Sequence, residues 1–387
     1  MIQRIKQTAR LMKKRLEYGC FSYHHWLRPI EKNKIVVSAY YGGGYADSPK
    51  AIVAELLPQG FDIVWLVRDG QEKTLPAGVR PVRYGSKQAI HELATAKIWL
   101  DNCRQKYSPP KRKQQVYFQT WHGSLALKKI EKDAAKQLQP AYLDRAKRDA
   151  KKCDYMMAGS DFCERIYTDS FWFRGEVLAS GTPRCDALLK TDAALTQYVA
   201  EAFQSKPTTK FALYAPTFRQ GENLTAYLQD FTKVHEALQN RFGGEWKILV
   251  RLHPNVAKLA KQINYGENIL NATDYPDMQE LLAVSEWLIT DYSSSMFDMA
   301  IAGKKVVLYT PDLDNYLKKE RAMYFDLKEL PFQLTKTPEA LVSQMEEFDE
   351  ADYHKKLAVF QQHIGSYETG NASVMVADKI KEIIAKG

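Results

Sequence analysis

Residues 34–57 read KIVVSAYYGGGYADSPKAIVAELL, and this stretch decides the fold. KIVVSAYY (34–41) is a nearly continuous run of β-branched and aromatic side chains, as in a strand buried on both faces. GGGYADSP is a loop, and PKAIVAELL opens a helix with proline in its first turn. The same alternation continues. FDIVWLV, GVRPVRY, KIWLDN, QVYFQTW and CDYMMAGS read as further strands, with KQAIHELAT and AYLDRAKRDA as helices between them. Strands alternating with helices predict a parallel sheet covered on both faces.

A polar helical stretch at 190–207 separates this series from a second one. There the strands are expected at 210–217, 246–254, 286–292 and 304–310, and the helices at 225–241, 276–284 and 294–302. Helices near 337–363 and 371–386 close the chain. The expected fold class is α/β: two doubly wound, Rossmann-like parallel-sheet domains facing a cleft. The expected division is a basic amphipathic segment at 1–30, a first domain at 31–190 and a second at 191–387, its last helix a candidate to cross back. Ligands of such sheets bind beyond the carboxyl ends of the strands.

Composition narrows the function classes. With 387 residues, 45% hydrophobic and 26% charged, the chain is an ordinary globular protein. No run has the length of a membrane-spanning helix, and the start lacks a signal-peptide core, so a cytoplasmic location is expected. Cys20, Cys103, Cys153, Cys163 and Cys185 are odd in number and contain no C-x-x-C, which argues for reduced thiols over disulfides or structural zinc. Charge is uneven: residues 1–152 hold 30 Lys and Arg against 13 Asp and Glu, a net +17, whereas 153–387 hold 25 against 33, a net −8. The first half thus expects an anionic partner. At its start, Ile2, Ile5, Ala9, Met12 and Leu16 form a helical stripe among basic residues; this fits either an anionic membrane surface or a solvated helix packed on the domain.

Polar groups collect at the expected strand ends. TWHG supplies His122 and Gly123, followed by Ser124; GTPRCD supplies Arg184; YAPTFR supplies Thr217, Phe218 and Arg219; RLHPN supplies Arg251 and His253; TDYSSSMFDMA supplies Asp291, Ser293, Ser294 and Ser295. Together they suit a diphosphate. A helix start offers backbone N–H groups, serines add hydroxyls, and guanidinium matches phosphate. Each element also has a plainer reading. The serines are good helix caps, and a histidine before proline fits simple packing. GGGY (42–45) is neither G-x-G-x-x-G nor a P-loop and reads as a turn. Asp312-Leu313-Asp314 is either a helix start or a metal-binding D-x-D. His24, His25, His91, His235, His354 and His363 lack partners in sequence and are expected to be structural.

TWHGSLALKKIEKD, GTPRCD, YAPTFR, RLHPN and TDYSSSMFDMAIAGKKVVLYTPDLDNY, in that order, resemble the CDP-glycerol glycerophosphotransferases of teichoic-acid and capsule assembly. The resemblance covers roughly residues 34–380 and implies a GT-B architecture with the nucleotide held mostly by the second domain. It implies transfer of glycerol phosphate from CDP-glycerol to a hydroxyl of a membrane-linked glycan or polyol-phosphate acceptor, with release of CMP. It further implies peripheral association with the inner face of the membrane. By motif match, His122 is the catalytic base and His253 acts on the diphosphate. Gly123, Ser124, Arg184, Thr217, Phe218, Arg219, Arg251, Asp291 and Ser293 to Ser295 fall in or beside the substrate site. No metal ligand set and no cofactor are expected. The chain departs from the family after WHG, where many members carry Thr-Pro-Leu and this one has Ser124-Leu125-Ala126-Leu127, and at Arg321-Ala322, where the family has Arg-Gly.

Two neighbouring readings share the fold: a CDP-ribitol transferase, and a GT-B glycosyltransferase using a nucleotide sugar. A third, a non-catalytic binder of anionic polymer, draws on the basic half alone. Nucleic acid is not an expected partner, because no RNA-binding or helix-turn-helix signature is present.

Overall fold

The computed structural model describes Gly19 and residues 27–219, 230–319 and 322–386. The expected amphipathic helix at the N-terminus, Cys20, His24, His25 and Arg321 lie outside these residues.

Among the described residues the strands form two sheets. The first has order β3-β2-β1-β4-β5-β6-β7 and the second β10-β9-β8-β11-β12-β13. Every paired register is parallel, from Lys34 opposite Asp62 to Tyr309 opposite Thr335. In the first sheet β1 is Glu31–Ser38, β2 Asp62–Val67, β3 Val79–Arg83, β4 Ala96–Asp101, β5 Val116–Gln119, β6 Tyr155–Met157 and β7 Glu176–Leu178. In the second, β8 is Lys210–Tyr214, β9 Trp246–Val250, β10 Ile269–Asn271, β11 Ser285–Thr290, β12 Lys305–Tyr309 and β13 Gln333–Thr335. Strand order reverses beside β1 and beside β8. Those are the switch points at which doubly wound sheets open a crevice.

Four helices position the site: α1 (Asp47–Leu56), α2 (Met278–Val284), α3 (Ser295–Ile301) and α4 (Ala372–Lys386). The apolar runs explain the layering. Ile35, Val37, Ile63 and Trp65 are fully buried on one face of the first sheet, beneath Ile52 and Val53 of α1. Val376, Ala377 and Ile380 of α4 join this same core, so the chain's last helix packs on the first sheet. The other face of the first sheet and both faces of the second belong to one larger core, with Trp99, Trp246 and Trp287 inside it.

Two expectations shift. The strand at 34–41 ends at Ser38, and Tyr40 and Tyr41 take left-handed φ of 48° and 57°. The cause is a tight turn: Gly42 accepts the Arg68 N–H at 2.9 Å, and a Cβ on Gly42 would stand 2.9 Å from that of Tyr84. The stretch near 337–363 is two helices, Pro338–Glu346 and Glu350–Ile364, because Asp349 caps the second by accepting the Asp352 N–H at 3.0 Å. The four described cysteines are free and buried.

Candidate active site

β5 delivers His122 to the cleft. Gln119 turns back on the chain, its Oε1 accepting the Trp121 N–H at 2.9 Å, and Trp121 adopts φ of 56°. That left-handed step, strained for a bulky residue, turns the imidazole toward the second sheet. Its Nδ1 lies 2.8 Å from the Asn102 carbonyl oxygen. A carbonyl only accepts, so Nδ1 carries the proton and Nε2 holds a lone pair. Burial lowers the His122 pKa below its ordinary 6.5, so the ring is neutral at pH 7.

His253, at the end of β9, has the opposite arrangement. Its Nδ1 accepts the Asn255 N–H at 3.2 Å, which leaves the proton on Nε2. Partial burial lowers its pKa as well. Phe218 packs beside it, ring centroids 5.6 Å apart.

Both histidines line one cavity of about 730 Å³, with Tyr40, Trp121, Gly123, Thr217, Ser293 and Ser294. A second cavity of about 400 Å³ adjoins it, lined by Lys128, Phe218, Arg251, His253 and Ser293 among others. Gly123 brings first-sheet backbone close to the second: a Cβ there would stand 3.4 Å from Ser294 Oγ. Arg251 lines the smaller cavity while donating to the carbonyls of Ala272 and Tyr275.

Several predicted donor-site residues do other work. Arg184 is buried; it donates to Asp47 Oδ2 at 2.9 Å, to the His122 carbonyl at 2.9 Å, and to Asp298 of α3. It therefore ties α1, the His122 loop and α3 together and does not line either cavity. Ser124 joins the same tie, donating to Asp298 Oδ1 at 2.6 Å. Arg219 is likewise buried against Asp291 at 2.6 Å and Asp312 at 2.9 Å. Asp291 also accepts the Thr217 N–H at 2.9 Å, so the pair shapes the loop after β8. At α3, the Ser295 N–H points to Ser293 Oγ, and the Met296 and Phe297 N–H groups turn back on the carbonyls of Ser293 and Ser294. Those N–H groups are already satisfied locally, which corrects the expectation of a free helix start; what reaches the cavity is Ser293 and Ser294. Asp312 faces Arg219 and the Tyr292 hydroxyl, and a helix at Leu313–Lys319 follows it, so the D-x-D is a helix start. Among the described residues no group of three or more His, Cys, Asp or Glu is placed to hold a metal ion.

Sequence reasoning missed Lys128, which lines both cavities and donates to the Tyr316 hydroxyl. Its backbone forms an antiparallel bridge with Met323, and the Leu127 carbonyl accepts the Tyr324 N–H at 2.8 Å, so the loop after His122 is pinned to the second half. The basic run after TWHG was its only signal. Asn102 and Asp47 were also missed, since neither sits in a motif.

Two doubly wound domains with a polar cleft between their carboxyl ends define the GT-B class. The structure of the wall teichoic acid polymerase TagF superposes with a TM-score of 0.84 at 25% identity, covering 100% of this chain and 99% of that one. Residues 20–382 match the family described as CDP-Glycerol:Poly(glycerophosphate) glycerophosphotransferase, and the chain belongs to that family. It is 30% identical to the teichoic acid glycerol-phosphate transferase of Staphylococcus aureus over 97% of this chain and 99% of that protein. It is 26% identical to the teichoic acid poly(glycerol phosphate) polymerase of Staphylococcus epidermidis over 92% of this chain, but spans only 51% of that longer protein.

Proposed function

We propose that this protein transfers glycerol phosphate from CDP-glycerol to a hydroxyl of a teichoic-acid acceptor, a polyol phosphate or membrane-linked glycan, and releases CMP. One observation carries the reading: two histidines of opposite tautomer line one cavity between the sheets. His122 Nε2 takes the proton from the acceptor hydroxyl. The freed oxygen attacks the β-phosphorus, a new P–O bond forms, and the bond to the CMP phosphate breaks. His253 Nε2–H donates to a phosphate oxygen, with Ser293, Ser294 and Lys128 lining the same space. Positioning and charge stabilisation dominate phosphoryl transfer, and a resident metal is not part of this reading. Attachment to an anionic membrane surface belongs to the proposal too, and rests on the net +17 of residues 1–152. Among the described residues no helix is long and apolar enough to cross a membrane.

The test is calorimetry with CDP-glycerol, CDP-ribitol and UDP-glucose, followed by a CMP-release assay on wild type, His122→Ala and His253→Ala. CDP-glycerol is expected to bind selectively, and CMP release is expected to collapse in both variants. Preference for CDP-ribitol changes the polyol, and preference for UDP-glucose overturns the reaction type.

A further inference from the structure

The first-half wall of the larger cavity is unlike its second-half wall, which carries Thr217, His253, Ser293 and Ser294. Tyr40 stands edge-on to His122, ring centroids 6.2 Å apart, and Tyr41, Leu138 and Tyr142 continue the lining. The wall also holds Arg104, which is committed: it is buried against Glu131 at 3.2 Å and Asp149 at 3.3 Å. Its charge is balanced within the wall.

Arg145 is different. It lies one helical turn from Tyr142, its guanidinium 5.2 Å from the Tyr142 ring centroid. Its Nε is buried without a hydrogen-bond partner, as is that of Arg104, but among the described residues no carboxylate pairs with Arg145 as Glu131 and Asp149 pair with Arg104. Burial raises the Tyr41 phenol to about 12, and the Arg145 charge opposes that rise, so the cation also sits near Tyr41. Arg68 flanks the same turn, donating to the carbonyls of Tyr41 at 3.0 Å and Tyr40 at 2.6 Å. The rim continues outward through Tyr84, 6.4 Å from Tyr41, to Tyr107, 6.1 Å from Tyr84, with Lys106 over the Tyr107 ring at 5.4 Å.

Aromatic faces alternating with cations suit a ligand that alternates carbon-rich polyol or sugar units with phosphates. Rings pack on C–H faces, and guanidinium takes phosphate through paired N–H donors. A guanidinium that no carboxylate claims keeps its N–H donors for an anion. We propose that the Tyr40–Tyr41 turn and Arg145 form an acceptor track, in which Arg145 binds an anionic phosphate of the acceptor behind its attacking hydroxyl. The proposal rests on the functional reading above for the direction of the track, with the hydroxyl at His122. The phosphate belongs either to a polyol-phosphate chain or to a glycan diphosphate; the chemistry at Arg145 is shared.

The test reads binding without turnover. Wild type, Arg145→Glu and Arg145→Lys are titrated by calorimetry with soluble oligo(glycerol phosphate), a disaccharide diphosphate and the uncharged disaccharide, with CDP-glycerol as a check of the fold. Arg145→Glu is expected to weaken at least one anion about 10- to 100-fold, the worth of a charged hydrogen bond. Arg145→Lys should retain part of the affinity. The uncharged disaccharide should bind both variants as it binds wild type. Which anion weakens identifies the phosphate. Equal affinity of Arg145→Glu and wild type for both anions overturns the track, as does equal weakening of the uncharged sugar. Anion binding that depends on Arg145, in a protein that releases no CMP from CDP-glycerol, overturns the functional reading and leaves the track standing.

Discussion

His122 and His253 line the same cavity with their protons on opposite nitrogens: Nδ1 of His122 donates to the Asn102 carbonyl, and Nδ1 of His253 accepts from the Asn255 amide. One Nε2 offers a lone pair and the other an N–H, so the proposed base and donor roles require no imidazolium. Burial holds both pKa values below 6.5. The sign follows: lowering the pH protonates His122 and abolishes the base, while raising it removes nothing His253 uses. The profile of kcat/KM is expected to show one acid limb below pH 6.5 and a plateau above it. A bell with its maximum below 6.5 would mean that His253 works as a cation. His122→Ala is expected to lower kcat by about 10²- to 10⁴-fold, the usual worth of general base catalysis.

Arg184 separates a structural tie from a phosphate ligand. Its guanidinium meets Asp47, Asp298 and the His122 carbonyl, three partners in different directions that one ammonium does not span. Arg184→Ala leaves two buried carboxylates unpaired and is expected to cost about 3–5 kcal/mol of stability by urea unfolding. Arg184→Lys should recover little of it. CDP-glycerol affinity of the folded Lys variant should fall far less than its stability; the reverse order would return Arg184 to the donor site.

The first carboxylate of the D-x-D is held by Arg219 at 2.9 Å and by the Tyr292 hydroxyl at 3.1 Å, and Arg219 holds its pKa below the ordinary 3.8 against burial. The cations lining the smaller cavity, beside His253, are instead Lys128 and Arg251. CMP release is expected to survive dialysis against EDTA unchanged. Loss that magnesium restores would require a metal bridging the diphosphate.

The fold was legible because its strands are buried on both faces. VVS, IVW and ILV have no amphipathic alternation to misread, and the helices between them fix parallel pairing. The edge strands β7, β10 and β13 were not legible; at three residues each they carry no period. The site was half legible. His122, His253, Thr217 and Ser293 follow strand ends, where topology places ligands, and they do line the cavities. Charge was the misleading signal. Arg184 and Arg219 read as phosphate ligands, yet the carboxylates that claim them, Asp47, Asp298 and Asp312, are 137, 114 and 93 residues away in sequence. Lys128 was hidden for the complementary reason: its partner Tyr316 lies 188 residues on.

Glu368 lies where the chain crosses back toward the first sheet. Its Oε2 accepts the Thr182 N–H at 2.8 Å, its Oε1 is buried without a partner, and Tyr367 donates its N–H to the Gly159 carbonyl at 3.0 Å. Burial raises the carboxyl from its ordinary 4.5 to about 6. Below 4.5 the folded and unfolded states are both protonated. Between the two values the folded state keeps a proton that the unfolded state has lost, so stability falls as pH rises through this window. Glu368→Gln removes the titration and should gain on the order of 1 kcal/mol over wild type above pH 6, with the gap closing toward pH 4.5. A gap that does not vary with pH would discount the carboxyl. The contact itself is read by Gly159→Ala, because a Cβ there would fall 1.7 Å from Glu368 Oε1. Gly159→Ala alone should destabilise strongly, and Glu368→Ala should relieve much of that loss. A coupling of about 0.5–3 kcal/mol in the double-mutant cycle is the mark of groups in direct contact, whereas additive losses would mean that the crossing segment gives way without pressing on Gly159.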